Sequence, residues 1–310
     1  MKLNRLLVTI APEQPLNDSF HQAFWFANQC SARVILLTVI EELCELKEVA
    51  NYSDTAVNII EEAQKFYHRQ LNQHVEVLKT QYPNITFDTH VRIGIPHIEI
   101  VKEAKSSMAS MVIIDSTRAD KKTACQRGRN TLNVIRKSEV PIWSISSYSK
   151  PIEQVVAAID LSNIEYQEFN KKLVALAIEY CEITGADLTL CHAWRLDSEG
   201  YLRKWSGYDD NDIEQLSQKM KQERIERLKS LLVPHQNSPV NTKIEIVEGE
   251  AREVLPLYAS AKGVDVVILG SLSRTGIAGF LMGNTAESMI NQLSCSVLTL
   301  KPDSFESPVE

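Results

Sequence analysis

The chain has 310 residues, of which 44% are hydrophobic and 24% are charged. Because domains average roughly 150 residues, this length predicts two domains, each able to bury its own core. The formal net charge of −7 argues against a nucleic-acid-binding protein, which needs a basic surface to contact phosphates, and no apolar run approaches the roughly 18 residues that a membrane-spanning helix needs.

The N-terminal segment MKLNRLLVTIAP contains a short apolar run and lacks a small-residue cleavage site. It therefore predicts a strand rather than a signal peptide. The six cysteines show no spacing typical of a metal site. Together these features favour a cytoplasmic protein with reduced thiols.

Short runs rich in Val, Ile and Leu predict strands, and the longer amphipathic stretches between them predict helices. Strands that alternate with helices predict parallel sheets covered on both faces. In chain order, strands are predicted at residues 5–11, 32–40, 85–93, 110–115 and 140–146, and again at 154–160, 186–193, 242–248, 264–270 and 295–301. Helices of the second set are predicted at residues 165–184, 212–232, 250–262 and 285–293.

The chain also contains an internal repeat. A shift of 155 residues places Gly94 on Gly249 and Gly128 on Gly283 without a gap. We therefore predict two copies of one domain, the first repeat (1–149) and the second repeat (150–310). Each copy is predicted to be a doubly wound, Rossmann-like α/β domain, in which ligands bind beyond the carboxyl ends of the strands.

A glycine-rich segment follows the fourth predicted strand of the second repeat. Four of the chain's 11 glycines fall between Gly270 and Gly283, and a helical pattern begins directly afterwards. Asn284 or Thr285 is expected to cap that helix, with Glu287 completing a capping box. The free N–H groups of a helix N-terminus suit a phosphate, but the same glycines also fit a strand-to-helix turn that binds nothing.

Two charged side chains accompany this segment. Arg274 lies inside it and adds a cation, whereas Asp160 ends the first predicted strand of the second repeat. An acidic side chain at that rim fits hydrogen bonds from a ribose or an adenine edge. It equally fits a surface aspartate that begins a turn.

An acidic residue after the first strand and the pattern G-x2-G-x9-G-(S/T) after the fourth resemble the universal stress protein family in its tandem-domain form. The resemblance covers essentially the whole chain. It implies a site for ATP or another adenine nucleotide at Asp160, Ala193, Gly270 and Gly283. It also implies a cytoplasmic role in stress survival, including resistance to DNA-damaging agents, without enzymatic turnover.

Two departures from the family pattern weaken the implied nucleotide site. Ser273 stands at the second motif glycine, where its side chain obstructs close approach of the backbone to a phosphate. Asn284 stands at the final Ser/Thr position, with Thr285 just beyond it. The cofactor is therefore left undecided between a weakly bound adenine nucleotide and none.

The first repeat departs further. Ala11 stands where the second repeat has Asp160, and Asp115 replaces the first motif glycine, so we predict that this repeat does not bind a nucleotide in the family's manner. Its loop at 118–129 is basic. Because residues 151–310 contain 24 acidic and 15 basic side chains, this loop fits a docking point for an acidic partner, including the second repeat, as well as it fits a solvated loop.

The remaining candidates are weaker. His192 lies in an apolar strand and is interpreted as a hydrogen-bonded core residue, and no motif places a base beside a nucleophile, so we expect a protein that is not an enzyme. The segment 194–211 concentrates two Trp and two Tyr in a predicted loop, which fits either an apolar or mixed ligand or packing against the next helix. A short amphipathic helix is predicted in the corresponding region, 41–56.

For partners, the resemblance implies a pseudo-dimer of the chain's own two domains, because single domains of the family pair through their last strands. A homodimer of whole chains and a separate protein partner stay open. Neither nucleic acid nor a membrane is expected as a partner.

Overall fold

The computed structural model describes residues 2–116, 127–146, 151–271 and 282–309. Every predicted strand is present, and no strand end differs from its prediction by more than two residues. The first repeat contains β1 (Arg5–Thr9), α1 (Asp18–Gln29), β2 (Arg33–Ile40), α2 (Cys44–Val49), α3 (Asp54–Gln81), β3 (Thr86–Ile93), α4 (Pro96–Ser106), β4 (Met111–Asp115), α5 (Arg129–Lys137) and β5 (Ile142–Ile145).

The second repeat has the same order of elements, and the predicted boundary at 149/150 falls within residues 147–150, outside the described residues. The repeat contains β6 (Gln154–Ala158), α6 (Gln167–Thr184), β7 (Asp187–Trp194), α7 (Glu199–Trp205), α8 (Asp210–Leu232), β8 (Thr242–Glu248), α9 (Ala251–Ala261), β9 (Val266–Gly270), α10 (Asn284–Gln292) and β10 (Ser296–Leu300).

Local chemistry explains several helix ends. The Asn17 side chain accepts a hydrogen bond from the Phe20 N–H and starts α1, and Asp209 and Asp212 form a capping box at the start of α8. α6 ends at Gly185, which has a φ of +74°, a left-handed conformation that costs glycine little. The segment 194–211, expected to be a loop, contains α7, because the run from Glu199 holds good helix formers.

The internal repeat is visible in equivalent turns. Gly94 follows β3 and Gly249 follows β8, each two residues before the first residue of a helix. Gly249 has a φ of +131°, and a Cβ placed on it would lie 2.3 Å from Val254 Cγ1. A Cβ on Gly94 would lie 2.6 Å from Glu99 Cγ. Both glycines therefore let the chain turn closely against the following helix.

All ten strands form one sheet in the order β3-β2-β1-β4-β5-β10-β9-β6-β7-β8. Among the described strands, pairing is parallel within each repeat and antiparallel between β5 and β10, where Trp143 lies opposite Leu298. Each repeat is thus a doubly wound unit, as predicted. The two units join through their last strands, which is the internal pairing that the resemblance implied.

Two hydrophobic layers cover the sheet. Buried side chains of α1, α3, α6 and α8 pack on one face, and those of α4, α5, α9 and α10 pack on the other. The strands between them are nearly continuous in apolar residues because both faces are buried. No helix among the described residues is long and apolar enough to cross a membrane.

Aromatic side chains from both repeats meet at the junction on the α1/α6 face. Trp143 of β5 is fully buried, with ring centroids 5.2 Å from Phe26 and 5.4 Å from Tyr180. Phe26 and Tyr180 also stack, at 5.2 Å. Because edge-to-face aromatic pairs add about 0.5–1.5 kcal/mol beyond burial, this cluster stabilises the contact between the repeats.

Candidate functional site

The candidate site lies where the strand order reverses in the second repeat. β6 pairs with β9 on one side and with β7 on the other, and Ala158 is in register with both Leu269 and Cys191. Asp160 therefore lies two residues past the end of β6, level with Ala193 of β7. Ligands of open α/β sheets bind at this kind of switch point, so the structure brings together at one rim three of the predicted positions: Asp160, Ala193 and Gly270.

Asp160 organises the turn after β6. Its carboxylate accepts a hydrogen bond from the Ser162 N–H at 2.9 Å, and its carbonyl accepts one from Asn170 Nδ2 at 2.8 Å. This geometry is typical of an aspartate that starts a turn. Asp160 therefore starts a turn, which was one of the two roles predicted for it. This role does not depend on whether the side chain also contacts a ligand.

Ala193 lies one residue before the end of β7 and packs against the hydrophobic layer of α9 and α10. Its neighbours on β7, His192 and Trp194, point to the opposite face because side chains alternate along a strand. The face that carries Ala193 is thus also the face of α10, the helix that follows the glycine-rich segment. A nucleotide at the predicted residues would lie on this side.

Gly270 has a neighbour that the sequence did not indicate. A Cβ at Gly270 would lie 2.6 Å from Cε1 and 2.9 Å from Cζ of the Phe169 ring, on the α6 side of the sheet. The absence of a side chain at Gly270 makes room for Phe169, so this glycine has a packing role independent of any ligand. No pattern in the sequence indicates that a phenylalanine near the start of α6 folds onto the end of β9.

The start of α10 differs from the prediction. The N-cap is Gly283, without a side-chain cap, and the Gly283 N–H donates to the Ser271 carbonyl at 3.3 Å. Asn284 and Thr285, predicted as caps, are exposed residues of the first helical turn. Among the described residues, no side chain caps this helix, and the first N–H groups of a helix suit an anion.

Glu287 was predicted to complete a capping box, and this was wrong. Its carboxylate pairs instead with the guanidinium of Arg136 on α5 of the first repeat. The contact draws Glu287 across the junction, away from its own helix N-terminus. Ser273 and Arg274, the other predicted members of the site, lie outside the described residues.

The equivalent place in the first repeat is filled by a carboxylate. Asp115 ends β4 and accepts hydrogen bonds from Asn17 Nδ2 at 2.7 Å, Gln14 Nε2 at 3.0 Å and the Ser19 hydroxyl at 3.3 Å. These donors come from the segment between β1 and α1 and from the first turn of α1. Asp115 is thus held by neighbouring side chains at the end of β4, the position that corresponds to Gly270 at the end of β9.

The structure describes three residues of the loop 118–129: Arg127, Gly128 and Arg129. Arg127 is buried rather than solvated. It is 5% exposed and donates to carbonyl oxygens of the second repeat: Ile290, Leu293 at 3.2 Å and Cys295 at 2.7 Å. These carbonyls close the carboxyl end of α10, where a cation is favourable. The sequence could not indicate this contact, since its acceptors are backbone atoms about 165 residues away.

His192 is the hydrogen-bonded core residue that was predicted. It is 5% exposed, and its Nδ1 lies 2.9 Å from the Ile159 carbonyl. Burial lowers the pKa of His192, and the neighbouring Arg224 and Arg227 lower it further, while Asp160 opposes the change. Burial therefore favours the neutral imidazole at the end of β7.

Two aromatic rings of the segment 194–211 point outwards. Tyr201 and Trp205, four residues apart on α7, are 73% and 75% exposed. They lie on one face of the helix. These two aromatics therefore do not pack against α8, whereas Trp194, at the start of the segment, lies beside Arg224 of that helix. In the first repeat, α2 is the predicted short helix, and Tyr52 beyond it is also exposed.

Comparison with known proteins identifies relatives of this architecture. The model of the Universal stress protein family matches residues 2–145 and 152–301. A relative named Universal stress protein E, from Photorhabdus laumondii, is 24% identical over 317 residues, which cover 98% of this chain and 97% of the relative.

Solved structures share the fold. A functionally unknown protein from Pseudomonas aeruginosa PAO1 aligns with a TM-score of 0.67 at 19% identity, over 97% of this chain and 93% of that one. A universal stress protein from Archaeoglobus fulgidus aligns with a TM-score of 0.60 at 16% identity, over 97% of this chain and 99% of that one. Both likenesses cover the tandem arrangement from end to end.

Proposed function

The chain belongs to the universal stress protein family, and from this premise we propose that it is a cytoplasmic stress-response binding protein that contributes to resistance to DNA-damaging agents. Family membership supports the role in stress response. Under this proposal the second repeat holds an adenine nucleotide weakly, and the first repeat is structural or contacts a protein partner. Binding rather than turnover is the proposed activity.

The observation that carries the nucleotide proposal is the meeting of three features at one rim. Asp160, Ala193 and the uncapped start of α10 at Gly283 lie at the switch point of the second repeat. The N–H groups of α10 suit the phosphates, and the carboxylate suits the ribose or adenine. The Phe169 ring covers Gly270 on the α6 side of the sheet. A nucleotide would therefore contact Gly270 from the α10 side alone, and this smaller contact favours weak binding.

Native mass spectrometry with titrated ATP tests the proposal. We expect binding near micromolar affinity and a loss of about tenfold, or about 1.4 kcal/mol, for Asp160→Ala. Asp197→Ala is the matched control, because Asp197 is an exposed aspartate that follows β7 and pairs with Arg195. Equal losses in both variants, or no ATP binding by the wild type, would contradict the proposal, as would ATP hydrolysis above that of a Gly283→Trp variant.

A second candidate function is the binding of an apolar or mixed non-nucleotide ligand, or of a protein, by the aromatic face of α7. The exposure of Tyr201 and Trp205 favours it, because exposed aromatic faces mark interaction sites. The same mass spectra separate the two candidates. A small molecule that co-purifies with the wild type and is lost from Trp205→Ala, in a protein that binds no ATP, supports the second.

A further inference from the structure

An arginine on α8 faces the end of β7 with few partners. Arg224 lies four residues before the fully buried Leu228, on the inward face of the helix. Its guanidinium carbon lies 4.8 Å from the centre of the Trp194 ring, and Nη1 donates to the Met220 carbonyl at 3.0 Å. Nε is buried, and in the described part of the chain it has no acceptor.

Other inward-facing arginines are better satisfied. Arg92 pairs with the carboxylates of Glu99 and Glu103, and Arg127 donates to carbonyl oxygens and to the Ser144 hydroxyl. A guanidinium keeps its charge in proteins, and a partly buried charge is costly when its counter-ion is exposed to solvent, as Glu223 is. Burial lowers the pKa of Arg224, which is the signature of that cost.

The charges that act on Arg224 in the described part of the chain come from its own helix. Glu223 favours the charged guanidinium, and Arg227, one turn further along α8, opposes it. The Glu223 carboxylate is exposed and lies 4.0 Å from Arg227, with which it pairs. Arg224 thus lies against the Trp194 ring beside a second guanidinium, and the two share one solvent-exposed carboxylate.

We propose that Arg224, with the Trp194 ring beside it, and the neighbouring Arg227 form a binding site for the oxyanion group, phosphate or carboxylate, of a small ligand. The planar guanidinium offers two parallel N–H donors that match such a group. Trp194 contributes an aromatic surface that holds Arg224 in place through a cation–π contact. The site lies on the α6/α8 face of the sheet, opposite the face of Ala193 and α10, so it does not depend on the nucleotide proposal.

Titration of the whole protein with inorganic phosphate at low ionic strength tests this site, with tryptophan fluorescence and calorimetry as readouts. The expected result is a saturable change in the wild type and at least tenfold weaker binding in Arg224→Met. Trp194→Phe is expected to abolish the fluorescence change while calorimetric binding persists. A parallel titration with acetate separates carboxylate from phosphate as the preferred group.

Arg195→Met is the matched control, since Arg195 neighbours Trp194 but is exposed and pairs with Asp197 and Glu250. It is expected to bind phosphate as the wild type does. Arg224→Lys keeps the charge and the fold but loses the paired donors, so intermediate affinity is expected. The proposal is overturned if the wild type shows no saturable binding, if Arg224→Met binds like the wild type, or if Arg195→Met weakens binding equally.

Discussion

The two repeats fill the same position in the fold with opposite chemistry. At the end of β4 the first repeat places Asp115, which three polar side chains hold by hydrogen bonds. At the end of β9 the second repeat places Gly270, over which the Phe169 ring folds. In both repeats the segment that precedes or begins the first helix supplies the covering groups. A glycine at this position is therefore evidence of close packing before it is evidence of a ligand.

The junction shows a second contrast between the repeats. Each repeat sends a buried basic side chain to the carboxyl end of the other's last helix: Arg127 to α10, and Lys301 to the Arg136 carbonyl of α5. Among the described residues, Arg127 donates to the Ser144 hydroxyl and to carbonyl oxygens near the end of α10. Lys301 donates to one carbonyl, and its Nζ lies 3.5 Å from the centre of the Phe305 ring. The two contacts are equivalent in position, and the guanidinium makes more hydrogen bonds than the amine.

The largest expected effect comes from Arg127→Met. The substitution keeps much of the side-chain volume but leaves the carbonyls at the end of α10 without their donor. Because hydrogen bonds to a charged group contribute roughly 1.5–3 kcal/mol each and are not additive, we expect the free energy of unfolding to fall by about 3 kcal/mol in a urea titration.

Arg129→Met is the control for that change, because Arg129 is an exposed residue two positions along the same segment. It is expected to change the free energy of unfolding by less than about 0.5 kcal/mol. If Arg127→Met lowered the free energy of unfolding no more than Arg129→Met does, the carbonyl contacts would not stabilise the junction. The inference that Arg127 contributes more to the junction than Lys301 would then be wrong.

Gly270→Ala is expected to have the next largest effect. The new methyl group would lie 2.6 Å from the Phe169 ring, and overpacking of this kind costs about 1–3 kcal/mol. Gly128→Ala is the control, since nothing lies within 4 Å of a Cβ at that position. Adding Phe169→Leu to Gly270→Ala is expected to restore part of the lost free energy of unfolding, because the smaller side chain makes room for the new methyl group. If Gly270→Ala lowered the free energy of unfolding no more than Gly128→Ala does, packing against Phe169 would not explain this glycine. A contact to a ligand would then be the remaining explanation.

The sequence was sufficient for the fold because its signals are local or periodic. Ten apolar runs predicted the strands, and a shift of 155 residues predicted the repeat. The predicted strand ends agree with the observed ends to within two residues. The contacts at the rim and at the junction between the repeats are not local in the sequence. Phe169 against Gly270 and Arg127 against the end of α10 join distant segments through shape and backbone oxygens, which leave no pattern along the chain.

The smallest expected effect is a pH dependence that originates at Lys301. Burial lowers the pKa of Lys301 to about 7, although the nearby Glu139 opposes this change. In the unfolded chain the same amine titrates near its ordinary value of roughly 10.4. Between these values the unfolded state binds more protons than the folded state. The free energy of unfolding therefore rises with pH in this window.

We expect this contribution to raise the free energy of unfolding by about 1 kcal/mol between pH 7 and pH 8, measured by urea titration at both values. Lys301→Met removes the titrating group and is expected to reduce the rise by that amount, whereas Lys262→Met, at an exposed lysine that ends α9, leaves it unchanged. If Lys301→Met retained the full rise, the amine would be protonated in the folded protein at pH 7. The ring of Phe305 and the Arg136 carbonyl would then hold a cation, and the two junction contacts would differ only in the number of their acceptors.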